Sequence, residues 1–426
     1  MNDLAERAQR VLSPVLGHYT WLPLERAEGS WLITKDGRRI LDLTCGIAVT
    51  PIGHCHPRVV RAVAEQAGRL MHISSGVASY EANVLLAEFL AGVLPAGLDM
   101  FVFQNSGAEA VEAAIKLARQ ATKREGIVAF RGGFHGRTTG AATLTTSKAA
   151  YRKGYGALLP EVHVAPFPYA LACPIRPAHD AEACAEHALA EIEAMLEHEI
   201  PPENVAAFII EPVLGEGGYV PAPPSFLRAV REIATRIGAL LIMDEIQTAF
   251  GRAGAWTVAE RYGVVPDILT LAKALGGGMP LGAVAAPRAL HERWPTGTHG
   301  STFGGNPVSC ASGLATLGVI KEEGLIERAE WVGGIVAEEL RPIARHEGVR
   351  EIRRLGAMIA VEFEDRAASK AAHSGALERD VLLITCGTHD QVIRFIPPLN
   401  VSEPDLRAGV RAFVEAVTSA RTPAPA

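Results

Sequence analysis

Lysine is scarce in this chain: eight occur among 426 residues, against 33 arginines. Basic residues do not cluster and the formal net charge is −6, so the electrostatic footprint of a nucleic-acid-binding protein is missing. No apolar run approaches the roughly 20 residues that span a bilayer. The opening MNDLAERAQRVLSPVLG is a mixed-charge helical pattern without the basic start and apolar middle of a secretory signal. Six cysteines (Cys45, Cys55, Cys173, Cys184, Cys310, Cys386) show neither CxxC pairing nor regular spacing, and the expectation is reduced thiols in a cytoplasmic protein. No GxGxxG or GxxxxGK[ST] follows any candidate strand, which argues against a plain nucleotide-binding module. There is no internal repeat, and the one low-complexity stretch is a terminal ARTPAPA, expected to fray.

What is present supports a large core. Hydrophobic residues make up 48% and charged residues 21%, and the length suits two or three domains, or one large domain with a smaller one attached. Between about residues 56 and 310, short apolar runs alternate with helical patterns. Candidate strands are Met100–Phe103, Ile127–Phe130, Ala206–Ile210, Leu240–Met243 and Ile268–Leu271, with helical spacing in Glu109–Arg119 and Pro224–Ile237. Continuous apolar strands separated by helices predict an α/β fold with a mostly parallel sheet covered on both faces. The ends differ. SWLITKDGRRILDLT (30–44) reads as a hairpin turning at Asp36-Gly37. Beyond 310, RRLGAMIAVEFED and QVIRFIPPL read as two strand-like segments around a helix. The expected division is an N-terminal segment 1–55, a large domain 56–310 and a C-terminal part 311–426, with one small α+β domain built from both ends.

Ligands of open α/β sheets bind beyond the carboxyl ends of the strands, so the residues following each strand are the informative ones. After Met100–Phe103 comes QNSGAEAVEAAIKLAR, where Ser106-Gly107 turns directly into a helix with Val111, Ile115 and Ala118 on one face. Its first N–H groups could hold a phosphate, or Ser106 could be an ordinary N-cap. After Ile127–Phe130 comes RGGFHGRTTGA. Phe134 and His135 offer ring surfaces and Arg137 a fork for a carboxylate; the alternative is a glycine-rich loop with a surface arginine. Glu211 ends the third strand, as a functional carboxylate or a solvated acid. Asp244, Glu245 and Gln247 follow the fourth.

The scarcity of lysine sharpens the next step. Lys35, Lys116, Lys123, Lys148, Lys153, Lys321 and Lys370 all lie in polar or charged surroundings, whereas Lys273 follows an apolar strand and precedes three glycines. A desolvated amine has a lowered pKa and is a nucleophile, although an Asp and a Lys at adjacent strand ends could also form a salt bridge. A helix N-terminus for phosphate, an aromatic plate, an aspartate and a reactive lysine together are the set that pyridoxal phosphate requires. Asp244 and Lys273 then act on opposite ends of one cofactor.

NSGAEAVEAAIKLAR, GGFHGRT, IIEPVLGEGGY, LIMDEIQTAFGRAG, PDILTLAKALGGGMPLGA and HGSTFGGNPV, in that order, resemble the class-III (ω-amino acid) aminotransferases. The likeness covers nearly the whole chain. It implies the aspartate-aminotransferase-like fold (fold type I), a large domain with a mostly parallel seven-stranded sheet, and a homodimer or a dimer of such dimers. Lys273 matches the cofactor-linking lysine, Asp244 the partner of the pyridine nitrogen, and Gln247 the group bonded to the phenolic oxygen. Gly107 and Ala108 match the phosphate cup, with Thr302 lent by the second subunit. Phe134 matches the stacking ring, where many relatives have tyrosine. Many relatives have Gly-Ser or Gly-Thr at Gly107-Ala108, so one hydroxyl contact is absent or is replaced by Ser106.

For substrate, the resemblance leans toward 4-aminobutyrate transaminases with 2-oxoglutarate as acceptor. It carries over Ile47, the carboxylate-binding Arg137, Arg394 for an α-carboxylate, and Glu211 as the acid that pairs with Arg394. Acetylornithine and ornithine transaminases keep the same acid and arginines, and some amino-acid racemases share the scaffold. The expected partners are a small amino donor and a 2-oxo acid, with no metal, nucleic acid or membrane.

Overall fold

The computed structural model describes residues 3–156, 158–175 and 180–419. The expected fraying tail, ARTPAPA, lies outside them. Seven strands form the central sheet: β1 Met100–Gln104, β2 Gly126–Phe130, β3 Val162–Ala165, β4 Val205–Ile210, β5 Leu240–Asp244, β6 Ile268–Leu271 and β7 Gly282–Ala286. Their spatial order is β1-β7-β6-β5-β4-β2-β3. All neighbours are parallel except β7, which runs antiparallel to both β6 and β1. The five expected strands form with ends moved by at most one residue. β3 and β7 were not expected.

β7 escaped notice because GAVAA, with Val284 as its one β-branched residue, lacks the bulk that marks a strand. Its smallness has a structural cause. A side chain at Gly282 would collide with the Ser106 backbone, so the strand is thin where the turn into the helix Gly107–Thr122 passes over it. That helix buries Val111, Ile115 and Ala118 against the sheet, as its spacing predicts, and each larger side chain contributes about 1.5–3 kcal/mol. The helix Pro224–Ile237 begins with proline in its first turn and stops at Gly238, whose φ of 69° returns the chain into β5.

Two four-stranded sheets flank this core, and a two-stranded ribbon, Val213–Leu214 with Val220–Pro221, follows β4. Trp31–Thr34 and Arg39–Asp42 form the expected hairpin around Gly37 (φ 84°), joined by Leu24–Glu28 on one side and by Val381–Leu382, in parallel, on the other. The segment RRLGAMIAVEFED is two strands, Val349–Leu355 and Met358–Phe363, turning at Gly356 (φ 57°). Val392–Phe395, which carries Arg394, pairs with Met358–Phe363 and Ile384–Cys386.

The cysteine expectation is corrected at one pair. Cys173 and Cys184 form a disulfide, with Cα atoms 6.1 Å apart. The helix Ala181–His198, capped by Asp180, presents Cys184 from its first turn, a meeting that sequence spacing alone does not reveal. Among the described residues the remaining cysteines are free, three buried and Cys55 exposed. No described helix is long and apolar enough to cross a membrane.

Arg252 clamps the sheets together. Fully buried, it donates from Nη1 to the carbonyls of Pro397 (2.7 Å) and Ala357 (3.2 Å), and from Nη2 to Cys45 Sγ (3.7 Å). Arg252→Met fills much of the volume but leaves two buried carbonyls unsatisfied. It should lower unfolding stability by about 1–3 kcal/mol per carbonyl lost, read from the denaturant midpoint. An unchanged midpoint would show that the clamp is dispensable.

Candidate active site

A cavity of about 420 Å³ opens at the carboxyl ends of β1, β2, β4, β5 and β6. Asp244 is the last residue of β5, and Lys273 lies two residues beyond the end of β6, with φ of 49°. The parallel register Asp244↔Thr270 sets the aspartate beside the strand that leads to the lysine. Ser106, Gly107, Ala108, Phe134, His135, Glu211, Asp244, Gln247 and Lys273 all line this one cavity.

The helix entrance serves both of its expected uses. Ser106 Oγ caps the helix by accepting from Glu109 N–H (3.2 Å), and Gly107 and Ala108 place the first helical N–H groups, which have no intrahelical acceptor, on the cavity wall. Gly107 packs so closely against Ile246 that a side chain there would force Ile246 aside. Phe134 is half-buried. Its backbone N–H donates to Glu211 Oε1 (2.7 Å) while Gly215 N–H donates to Glu211 Oε2 (2.9 Å). Glu211 thus braces the aromatic plate.

His135 does not serve as a second ring surface. It is 2% exposed, and its Nδ1 lies 2.7 Å from Asp244 Oδ2. Burial alone would lower its pKa, but the bond to Asp244 and the charges of Asp244 and Glu211 outweigh burial and raise it. The imidazole is held against the aspartate. Glu211 is raised as well, but by burial itself, which pushes it up to about 7 against the lowering effect of His135. Lys273 is pulled down, chiefly by burial, and its amine makes no hydrogen bond among the described residues. Glu245 turns away from the cavity. It accepts from Val258 and Ala259 N–H, both at 2.7 Å, and caps the helix Val258–Tyr262.

Arg394 is fully buried, and its partner corrects an expectation. The acid against its guanidinium is Glu216, at 2.6 Å, and not Glu211. The two glutamates lie five residues apart in EPVLGEGGY, and the turn through Gly215 sends only the second toward Val392–Phe395. Arg394 also donates to Thr385 O (3.0 Å), an oxygen that Tyr19 OH reaches as well (3.2 Å), and Arg394 Nε has no partner among the described residues. Glu216 is held below the ordinary carboxylate range: burial would raise it, and Arg394 overrides burial.

Four expected residues lie outside the cavity wall, Arg394 among them. Arg137 is exposed near its rim, with Cζ 5.9 Å from the Phe134 ring. Ile47 sits at 40% exposure on a turn whose residues 45–48 all have positive φ. Thr302 is exposed on a loop packed against β1 and lines no part of this chain's own cavity. Sequence reading missed Glu216 and Tyr151. Glu216 had a signal in its motif; Tyr151, whose ring is 5.6 Å from Phe134, had none.

The donor set fits pyridoxal phosphate: free helical N–H groups, an aromatic plate, a buried carboxylate, and an amine and a buried Gln247 Oε1 that have no hydrogen-bond partner among the described residues. Among the described residues no group of three His, Cys, Asp or Glu could hold a metal ion. Comparison with known proteins agrees. The family model for class-III aminotransferases matches residues 13–417. A 5-aminovalerate aminotransferase of Pseudomonas aeruginosa is 37% identical over 97% of both chains. A probable 4-aminobutyrate aminotransferase of Bacillus subtilis is 37% identical over 90% of both. An acetylornithine aminotransferase of Archaeoglobus fulgidus is 38% identical over 92% of this chain and 94% of its own. The solved PLP-bound amine transaminase of an uncultivated Pseudomonas species superposes with a TM-score of 0.88 at 28% identity, covering 96% of this chain and 98% of its own.

Protein loaded with pyridoxal phosphate should be yellow, and borohydride should fix the cofactor on the peptide carrying Lys273. Asp244→Asn should keep the cofactor and lose more than about 10²-fold in turnover, because an amide cannot hold a ring nitrogen protonated. Label on Lys148 or Lys153, or near-native turnover in Asp244→Asn, would refute these assignments.

Proposed function

The chain belongs to the class-III aminotransferases, and from that premise we propose that its donor is the ω-amino acid 4-aminobutyrate and its acceptor 2-oxoglutarate. The products are succinate semialdehyde and glutamate. The buried Arg394–Glu216 pair carries this reading. With no α-carboxylate in the site, Glu216 neutralises the guanidinium, as 4-aminobutyrate requires. The α-carboxylate of glutamate or 2-oxoglutarate displaces Glu216 and finds Arg394 Nε without a partner. Arg137 takes the distal carboxylate that both substrates possess. The relative named for acetylornithine favours a second reading, in which the donor is an acetylornithine- or ornithine-type amine and the same two arginines are used.

Bound pyridoxal phosphate supplies the electron sink for the carbon that loses its proton. Asp244, steadied by His135, keeps the ring nitrogen protonated. Lys273 Nζ, with its lowered pKa, takes the proton from the substrate carbon and delivers it onward, a role typically worth about 10²–10⁴-fold. Gly107, Ala108 and the Ser106 cap hold the phosphate end.

The active unit in this reading is a homodimer. Phe303, beside Thr302, is 59% exposed and meets the His72 ring, tilted by 34°, at 4.8 Å, next to Met71 at 67% exposure. Such an apolar face suits a second copy, whose phosphate Thr302 then reaches.

Single-turnover spectra of the two half-reactions test the assignment. Arg394→Ala should damage the glutamate half-reaction far more than the 4-aminobutyrate one, by about 2–5 kcal/mol of transition-state stabilisation. Glu216→Gln should reverse that order, and Arg137→Ala should impair both. Equal losses on both substrates for Arg394→Ala and Glu216→Gln would overturn the substrate reading. Amine turnover that consumes no 2-oxoglutarate would point to racemisation.

A further inference from the structure

We propose that Tyr151 is a positioning residue: its ring sets where the Arg137 guanidinium stands, and thereby the chain length of ω-amino acid that the site accepts. The proposal rests on the reading of Arg137 as receptor of the distal carboxylate. Arg137 is an arginine held by rings. Among the described residues it has no acidic partner; its Cζ lies 4.3 Å from the Tyr151 ring centroid and 5.9 Å from that of Phe134. The two rings meet edge to face at 5.6 Å and 78°. Phe134 is the plate on the cofactor wall, so one ring-to-ring contact fixes the separation between that plate and the cation.

The neighbouring cation shows the contrast. Lys148 lies 5.9 Å over the same Tyr151 ring, but its amine is ion-paired to Asp390. Its charge is committed; that of Arg137 is not. An acidic partner would have to be displaced by every incoming carboxylate, whereas an aromatic face holds a guanidinium through its quadrupole and leaves the fork of N–H donors open. Stacking also removes rotamer freedom from a long side chain before substrate arrives, so less is lost on binding. Tyr151 is itself placed by the short 3₁₀ turn Ala149–Tyr151, its N–H donating to Lys148 O (3.1 Å). The ring therefore acts as a spacer between the reacting end of the substrate and its carboxylate.

The test uses cofactor-loaded protein and single-turnover kinetics with 4-aminobutyrate, 5-aminovalerate and the carboxylate-free n-butylamine. Tyr151→Leu should raise the half-saturating concentration of 4-aminobutyrate about tenfold. It should leave the limiting rate within about twofold and n-butylamine unaffected, and should narrow the preference between the two ω-amino acids. Tyr151→Phe, which keeps the ring, should restore wild-type behaviour, and Arg137→Ala combined with Tyr151→Leu should be no worse than Arg137→Ala alone. Wild-type half-saturation in Tyr151→Leu, while Arg137→Ala is impaired, overturns the positioning role and spares the reading of Arg137. Loss in Tyr151→Leu that extends equally to n-butylamine, or loss in Tyr151→Phe as large as in Tyr151→Leu, also overturns it. Arg137→Ala without any carboxylate-dependent loss brings down both.

Discussion

A guanidinium with no solvent exposure must find a counter-charge inside the protein, and much of this architecture is arranged around that need at Arg394. Its strand comes from the C-terminal sheet, while the answering carboxylate, Glu216, comes from the loop after β4 of the central sheet. That loop is anchored independently of the charge pair. Arg353 donates to the carbonyls of Gly218 (2.7 Å) and Tyr219 (3.3 Å), and Gly387 N–H donates to Glu216 O (2.9 Å). The backbone is fixed and only the carboxylate is free to leave. Arg394 can therefore change partners without any rearrangement of the sheets that present it.

The two glutamates of one loop divide the electrostatic work. Glu216 is kept ionised by a fixed cation, while burial lifts Glu211 to about 7 beside the His135–Asp244 pair. Adjacent acids in contrasting environments acquire contrasting proton affinities. Three buried groups, Glu211, His135 and Asp244, lie within reach of one another's charge. Any change in the protonation of Glu211 alters the field at Asp244, and it acts through the same acid that braces Phe134.

Much of this was legible in the sequence because strand interiors and strand ends are written in different alphabets. The apolar runs located five strands, and the rule that chemistry follows the carboxyl ends led to Ser106, Phe134, Glu211, Asp244 and Lys273, which meet in one cavity. β7 was illegible because all its residues but Val284 are small, the first of them, Gly282, lying against the Ser106 backbone, and the usual strand signature is missing. Glu216 was visible in its motif but could not be distinguished from Glu211, because the choice depends on a turn at Gly215 and on an arginine 178 residues away. The His135–Asp244 contact spans 109 residues, and its histidine looked like a ring surface because adjacent residues were read as facing one way. Tyr151 and the Cys173–Cys184 pair are tertiary facts without a local pattern.

Residues 45–48 form a single left-handed turn, with φ values of 50°, 59°, 68° and 64°, and only Gly46 adopts it freely. Ile47 is β-branched, the side-chain type that this conformation tolerates least. Glycine, or asparagine, would sit there at lower conformational cost, so isoleucine at this place is maintained against the backbone's own preference. In evolutionary terms, position 47 is pleiotropic. Replacing the side chain alters an exposed surface and, in the same step, relieves or deepens a tension in the fold. Variants at this position will carry a change in heat tolerance with them.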